Sequence, residues 1–288
     1  MKVSVIIPLY EATPYIPKLF EKIKHQKGDF DIELLCSVTT SKDFTLSVAK
    51  QHCDCVEHVN TNEFNHGLTR HKMAEMAKGE YLLFLTQDAL PVNDTWLREL
   101  LTPLISGECH AVYARQIPYD DAPYIEKLIR SFNYPDKKRI CSKESEILYG
   151  RKNSFYSDTC SAISRELFFK LGGYNYAVPL SEESLLAAKL LEKGDKIGYI
   201  PTAQVFHSHA FSLKKNYQKY YDIGQFEASY PQLFSKNAST GEGKKLLVYL
   251  IKQCLLHFKI FSLFQLFIDM PTRYFGYRNG YNSIKPKE

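Results

Sequence analysis

The chain is poor in the patterns that identify a protein at sight. None of its seven cysteines forms a Cys-x-x-Cys pair, and Cys53 and Cys55 stand too close to make half of an ordinary zinc knuckle. That excludes a finger-type zinc site and leaves the cysteines as reduced, mostly buried thiols of a cytosolic protein. No uninterrupted apolar run reaches the roughly 18 residues of a membrane span. The apolar start, residues 3–8, is strand-length and lacks a small-residue cleavage site, so no signal peptide is expected. A net charge of +5 is too small to argue for nucleic acid, and there is no arginine-rich arm or aromatic RNA-binding signature. The two common nucleotide fingerprints, Gly-x-Gly-x-x-Gly after the first strand and the Walker lysine loop, are absent.

What is present is a chain of 288 residues, 44% apolar and 24% charged, which suits a globular protein of one large domain or one domain with an appendage. The first half alternates in period. Residues 3–7, 32–38, 56–59, 81–85 and 111–114 read as strands; 15–25, 44–51, 69–77 and 95–106 read as helices. Such β-α-β-α order predicts a largely parallel sheet with helices on both faces. From 118 to 158 the pattern is lost in a polar, tyrosine-rich and basic stretch (Lys137, Lys138, Arg139), read as a helix and a long mobile loop of the kind that forms lids. Order returns with a strand at 160–163, helices from 165, over 182–193 and over 213–230, and strands at 197–199 and 204–207. Residues 237–243 read as a linker. Beyond them 244–270 mixes large apolar residues with Lys244, Lys245, Lys252 and Lys259. With the aromatic-basic run 273–278, that composition suits either an interfacial helix or one packed on the domain or a partner subunit.

Three clusters bear chemistry. In the first, Asn65, His66, Gly67, Thr69 and Arg70 form a polar loop entering a helix, and the strand 81–85 ends at a lone acid, Asp88. An apolar strand that delivers a carboxylate at its carboxyl end is how open α/β sheets present ligand-binding groups. A nearby arginine points to an anionic ligand such as a diphosphate, with a metal on Asp88. In the second, Glu182 and Glu183 open a helix with Ser181 placed to cap it; acids in a first turn are also stabilised by the helix dipole alone. In the third, His207 and His209 share one face of a strand, a candidate ligand pair that core packing would equally explain.

The order of these pieces resembles the inverting family 2 glycosyltransferases of GT-A fold, and within them the bacterial rhamnosyltransferase branch. The matching segments are Val-Ser-Val-Ile-Ile-Pro-Leu-Tyr at the start, Phe64 to Arg70, Phe84 to Pro91, Gly172-Gly-Tyr, the acids at 182–183, Tyr199 to His209 and Tyr220 to Gly224. The resemblance implies an α/β GT-A domain over 1–235 and a C-terminal helical extension over 236–288, membrane-associating or oligomerising. It implies Mg2+ or Mn2+ as cofactor on Asp88 and His207, with His209 as the fallback ligand and Thr86 where relatives carry a further Asp. Arg70 would face the donor diphosphate. Pro8, Tyr10, Glu11, Thr39, Asp43, Asn65 and Gln87 would line the nucleotide sugar. Glu183 would take the acceptor proton beside Glu182. Two departures stand out: Glu183 replaces the family's Asp, and Val38 replaces the acid that reads the base.

The activity so implied is transfer of L-rhamnose from dTDP-β-L-rhamnose to a lipid-linked saccharide at the cytoplasmic face of the plasma membrane, with a homodimer as one arrangement and no nucleic acid. The loop 134–157 would close over donor or acceptor. The alternatives are a UDP-hexose donor, which Val38 leaves open, or a non-catalytic GT-A module in a glycan-assembly complex.

Overall fold

The computed structural model describes residues 1–233 and 238–284, so the sequence-drawn boundary at 235/236 and Asn237 of the expected linker lie outside the described residues. The chain divides into two units. The first holds residues 1–116, 136–178 and 182–207; the second holds 117–135, 179–181 and 208–288.

In the first unit β1 (Lys2–Leu9) is the central strand, with Val3, Val5, Ile6, Ile7 and Leu9 all buried. A strand covered on both faces has no polar alternation to show, hence its near-continuous apolar run. It pairs in parallel with β2 (Asp31–Thr39) and β4 (Tyr81–Leu85), and β2 pairs in parallel with β3 (Cys55–Val59). Helix α1 (Ile16–Lys24) buries Ile16, Leu19, Phe20 and Ile23 at helical spacing, and α4 (Trp96–Ile105) buries Trp96, Leu97, Leu100, Leu101 and Leu104. Between them in sequence lie α2 (Thr45–His52) and α3 (His66–Met76).

Beyond β4 comes a strand of opposite sense, β8, which pairs antiparallel with β4 on one side and β6 on the other. The order is β3-β2-β1-β4-β8-β6-β9-β5, with β5 Leu90–Pro91, β6 Ala111–Ile117, β8 Cys160–Ser164 and β9 Ile197–Phe206. The two segments read near 197 and 204 are one strand that runs through Pro201. The segment expected as a loop over 134–157 is partly built into this sheet. Its residues Arg139–Cys141 form β7 on β9, and Arg139, read as a loop cation, is buried with its guanidinium donating to the Tyr113 hydroxyl at 2.7 Å. The short helix α6 (Glu146–Tyr149) follows, and Ser145 and Asn153 brace it through a 2.6 Å hydrogen bond. Non-local pairing and a buried charge are what a local reading of a polar segment misses. After β8 come α7 (Arg165–Lys170) and α8 (Glu182–Glu192).

The second unit is helical: α5 (Tyr124–Asn133), α9 (Leu213–Ser229), α10 (Ala238–Leu256) and α11 (Ile260–Ile284). The expected linker over 237–243 is, from Ala238 on, the start of α10, and the expected single helix of 244–270 is the hairpin α10–α11. Ile125, Leu128 and Ile129 of α5 pack with Leu250 and Cys254 of α10 and Leu266 of α11. Helices α9 and α11 run parallel with their backbones in contact. A Cβ on Gly280 would lie 1.9 Å from the Tyr221 carbonyl oxygen, and one on Gly276 would lie 2.6 Å from that of Tyr217. Polar bridges follow the same register: Asn216 Nδ2 donates to Asp269 at 2.7 Å, Arg273 donates to Asp269 at 2.6 Å and to Tyr220 at 3.2 Å, and Tyr277 donates to Glu227 at 2.6 Å. The aromatic-basic run 273–278 is therefore half inward, with Arg273 and Gly276 committed to α9.

The turn between α10 and α11 closes by the pairing Phe258 N–H to Leu255 C=O (3.2 Å) and Lys259 N–H to Cys254 C=O (2.8 Å), a Schellman motif. Its left-handed position, φ 52°, is held by Phe258 and not by glycine, at a cost on the order of 1–2 kcal/mol.

Replacing Gly280 by Ala forces α9 and α11 apart. The expected outcome is a loss of about 1–3 kcal/mol in denaturant unfolding, with Ser283→Ala near neutral as the control.

Candidate active site

Because β1, β2 and β4 are parallel and in register, with Leu9 beside Val38 and Ile6 beside Phe84, their following loops leave the same edge of the sheet. That edge is where open α/β sheets bind ligands. Asp43 ties two of these loops together. Its carboxylate accepts from Thr13 Oγ1 (2.6 Å), Thr45 Oγ1 (2.7 Å), Ser41 Oγ (2.7 Å) and the Thr13 and Thr45 amides, and these bonds outweigh burial and hold it well below the ordinary carboxylate range. Gln87 grips Tyr10 with two bonds, accepting from its amide at 2.8 Å and donating to its carbonyl at 2.9 Å. This fixes the loop in which Tyr10 is exposed and Glu11 takes φ 47°. Pro8 lies at the end of β1 opposite Ser37, and Thr39 is buried at the end of β2. Val38 is 1% exposed, a core residue with no group to offer a base. Of the residues expected to touch a nucleotide sugar, Asp43 and Gln87 thus use their side chains to hold the loop on which Tyr10 and Glu11 sit.

Asn65 does the same for the next loop. It caps α3, accepting from the Gly67 and Leu68 amides at 3.1 and 3.0 Å, and donates to the Val178 carbonyl at 2.8 Å.

Asp88 follows β4, and its Oδ1 lies 3.6 Å from His207 Nε2. The other ring nitrogen, Nδ1, is 2.8 Å from Gln116 Oε1, and the Gln116 amide donates to Ser157 at 3.0 Å. An amide oxygen can only accept, so Nδ1 carries a proton, and Nε2, on the Asp88 side, is the nitrogen that can offer a lone pair when the ring is neutral. A neutral imidazole nitrogen beside a carboxylate oxygen is a fitting pair of ligands for a divalent ion, with Gln116 as the outer support that orients the imidazole. Gln116 is not among the residues expected from the sequence; its signal is a lone amide on the otherwise apolar side of β6. His209 lies in the second unit, stacked on Phe211 at 4.6 Å.

The second cluster gathers Arg70 with three acids. Glu182 and Glu183 open α8, and Asp158 precedes β8. Arg70 Nη1 donates to Glu182 Oε1 at 2.9 Å, and its Nε sits 4.0 Å from Asp158 Oδ2. Both side chains of the Arg70–Glu182 pair are about 5% exposed or less. Asp158 Oδ1 accepts from Ser161 (2.7 Å) and from the buried Tyr174 hydroxyl (2.8 Å). The carboxylate oxygens of Asp158, Glu182 and Glu183 lie within 4.8 Å of one another. Gly67 lets α3 approach, since its Cβ would meet Glu182 Cβ at 3.1 Å. Arg70, expected to face a diphosphate, is placed in this structure among the acids, donating to Glu182 and facing Asp158. Ser181, expected to cap α8, has φ 66°, outside the extended backbone of a capping serine. Asp158 is also absent from the expected set, standing at the end of the segment read as a lid.

One guanidinium cannot neutralise three carboxylates. Burial, then Glu182, push Asp158 up to about 6 against the pull of Arg70, and burial, Glu182 and Asp158 push Glu183 well above the ordinary carboxylate range. Removing the cation while keeping its volume, Arg70→Met, leaves these acids uncompensated. Unfolding stability at neutral pH is expected to fall by roughly 3–5 kcal/mol and to recover on acidification, as the acids protonate.

Residues 4–172 match the family model for glycosyl transferase family 2. The chain is 30% identical over 287 residues to the O-antigen chain rhamnosyltransferase RfbN of Salmonella typhimurium, covering 97% of this chain and 90% of that one. It is 31% identical over 280 residues to the O-antigen chain rhamnosyltransferase WbaN of Salmonella anatum, covering 96% and 88%. Among solved structures, the mannosyltransferase PcManGT of Pyrobaculum calidifontis, in complex with GDP-Man and Mn2+, superposes with a TM-score of 0.61 at 16% identity, covering 97% of this chain and 84% of that one. With the family model matched over more than half of its length and two relatives about 30% identical over nearly all of it, the chain belongs to glycosyl transferase family 2.

Proposed function

We propose that the protein moves L-rhamnose from dTDP-β-L-rhamnose, with inversion, to a hydroxyl of a growing, lipid-linked cell-surface saccharide. The observation that carries the sugar is the identity of about 30% over nearly the whole chain to two relatives both described as O-antigen chain rhamnosyltransferases. The chemistry rests on the two clusters. Inversion needs a group that removes the acceptor proton as the glycosidic bond to the diphosphate breaks. Glu183 is that group: it is only half-buried while Glu182 is locked on Arg70. Glu182, Arg70 and Asp158 act through it, setting its position and its proton affinity. Asp88 and His207 would hold Mg2+ or Mn2+, which when bound supplies positive charge to the leaving diphosphate. Gln116 keeps the His207 tautomer able to ligate. Tyr10 and Glu11, on the loop that Gln87 and Asp43 stiffen, cup the nucleotide. A buried Val38 makes no choice between thymine and uracil, so the second reading, a UDP-hexose donor, stays open at this position.

The discriminating experiment incubates the protein with a panel of nucleotide sugars and follows nucleoside diphosphate release in the presence of acceptor. dTDP-rhamnose turning over fastest supports the proposal; a UDP-hexose preference overturns the donor.

Glu183→Gln is expected to lose roughly 10^2–10^4-fold in kcat while donor binding persists, and full activity would remove the base assignment. Since a raised carboxyl must lose its proton to act as a base, kcat/KM is expected to climb with pH through a midpoint above the ordinary carboxylate range. Asp158→Asn, which removes one of the charges pushing Glu183 up, moves that midpoint to lower pH. Gln116→Leu is expected to weaken Mn2+ binding about 10–100-fold, read by calorimetry without donor.

A further inference from the structure

The outward face of the α10–α11 hairpin is apolar to a degree that monomeric surfaces seldom are. Phe258 is 87% exposed, Phe261 75%, Phe267 69% and Phe264 65%, with Leu256 and Ile260 beside them. Phe261, Phe264, Phe267 and Ile268 recur at three- and four-residue spacing, so they share one side of α11, while Leu266 on the other side is in the core. Phe258 is held outermost by the left-handed backbone of the turn, a conformation an aromatic residue occupies only at a cost. Charge on this segment has one sign. Between Glu242 and Asp269 the chain carries Lys244, Lys245, Lys252 and Lys259 and no acid, and all four lysines are exposed. No helix among the described residues is long and apolar enough to cross a membrane.

We propose that this face lies in the interface of an anionic lipid bilayer, Phe258 leading at the hairpin tip, the other aromatic rings in the headgroup–acyl boundary and the lysines among the phosphates. The lysines decide the occupant. A second copy seated by two-fold symmetry would bring this excess of cations, only Lys245 being offset by Glu242 at 2.9 Å among the described residues, towards its own image, whereas an anionic surface complements it. The inference deepens the reading of a lipid-linked acceptor, but vesicle binding needs neither donor nor acceptor, so either reading can fail while the other stands.

The test is co-sedimentation of the full chain with vesicles of phosphatidylcholine and phosphatidylglycerol, against vesicles of phosphatidylcholine alone. Binding is expected on the anionic vesicles, at least about tenfold weaker on the neutral ones, and reduced by salt. Phe258→Gly relieves the strained backbone, so it should keep or raise the melting temperature while weakening vesicle binding about tenfold. That pairing separates lost docking from lost folding. The triple variant F258G/F261S/F264S should bind about a hundredfold more weakly and turn over a water-soluble acceptor as the unaltered protein does. The proposal is overturned if the unaltered protein stays in the supernatant, or if the triple variant sediments equally well. A concentration-dependent dimer that the triple variant dissolves, with no vesicle binding, would assign the face to a second copy instead.

Discussion

A single buried guanidinium organises the cluster of acids at the start of α8. Arg70 comes from α3, Glu182 from α8 and Asp158 from the approach to β8, and these elements are distant in sequence. Three like charges gathered within a few ångströms would separate them without a cation at the centre. The pair to Glu182 is direct, while the approach to Asp158 at 4.0 Å leaves Arg70 Nε and Asp158 Oδ2 with no hydrogen-bond partner among the described residues. The cluster is therefore held partly by field alone, and its acids keep an excess of negative charge. That excess raises the proton affinity of Glu183.

The same inward use of polar groups runs through the other loops. A carboxylate or amide that a motif comparison would place against the ligand is, in three cases, turned towards the protein. Asp43 staples two loops, Gln87 clamps the Tyr10 backbone, and Asn65 caps α3. Gln116 does likewise for His207. Preorganisation of this kind places binding groups before the ligand arrives, so less binding energy goes into ordering loops.

Periodicity made the parallel half of the sheet legible. β1, β4, α1 and α4 carry uninterrupted apolar runs or strict helical stripes, and both survive without knowledge of neighbours. The half beyond β4 was harder for physical reasons. β7 is three residues long and exists because β9 pairs with it, and β9 continues through Pro201, which breaks the local pattern. The clustered acids at 88, 182 and 183 could be picked out because each sits at the end of a strand or the start of a helix. Asp158 and the inward turn of Arg70 could not, since a charge whose partner lies a hundred or so residues away looks like any surface charge. Gly276 and Gly280 likewise read as part of an aromatic-basic run, and their purpose is visible only beside the backbone of α9.

The second unit has a consequence for how the chain is made. The apolar side of α5 packs against Leu250, Cys254 and Leu266, and α9 runs parallel to α11. At a synthesis rate of about 5–20 residues per second, α5 leaves the ribosome many seconds before the residues that cover it. During that interval Ile125, Leu128 and Ile129 are a sticky surface on a nascent chain whose sheet is already taking shape. The carboxyl-terminal helices thus supply the last apolar cover for α5 to be synthesised.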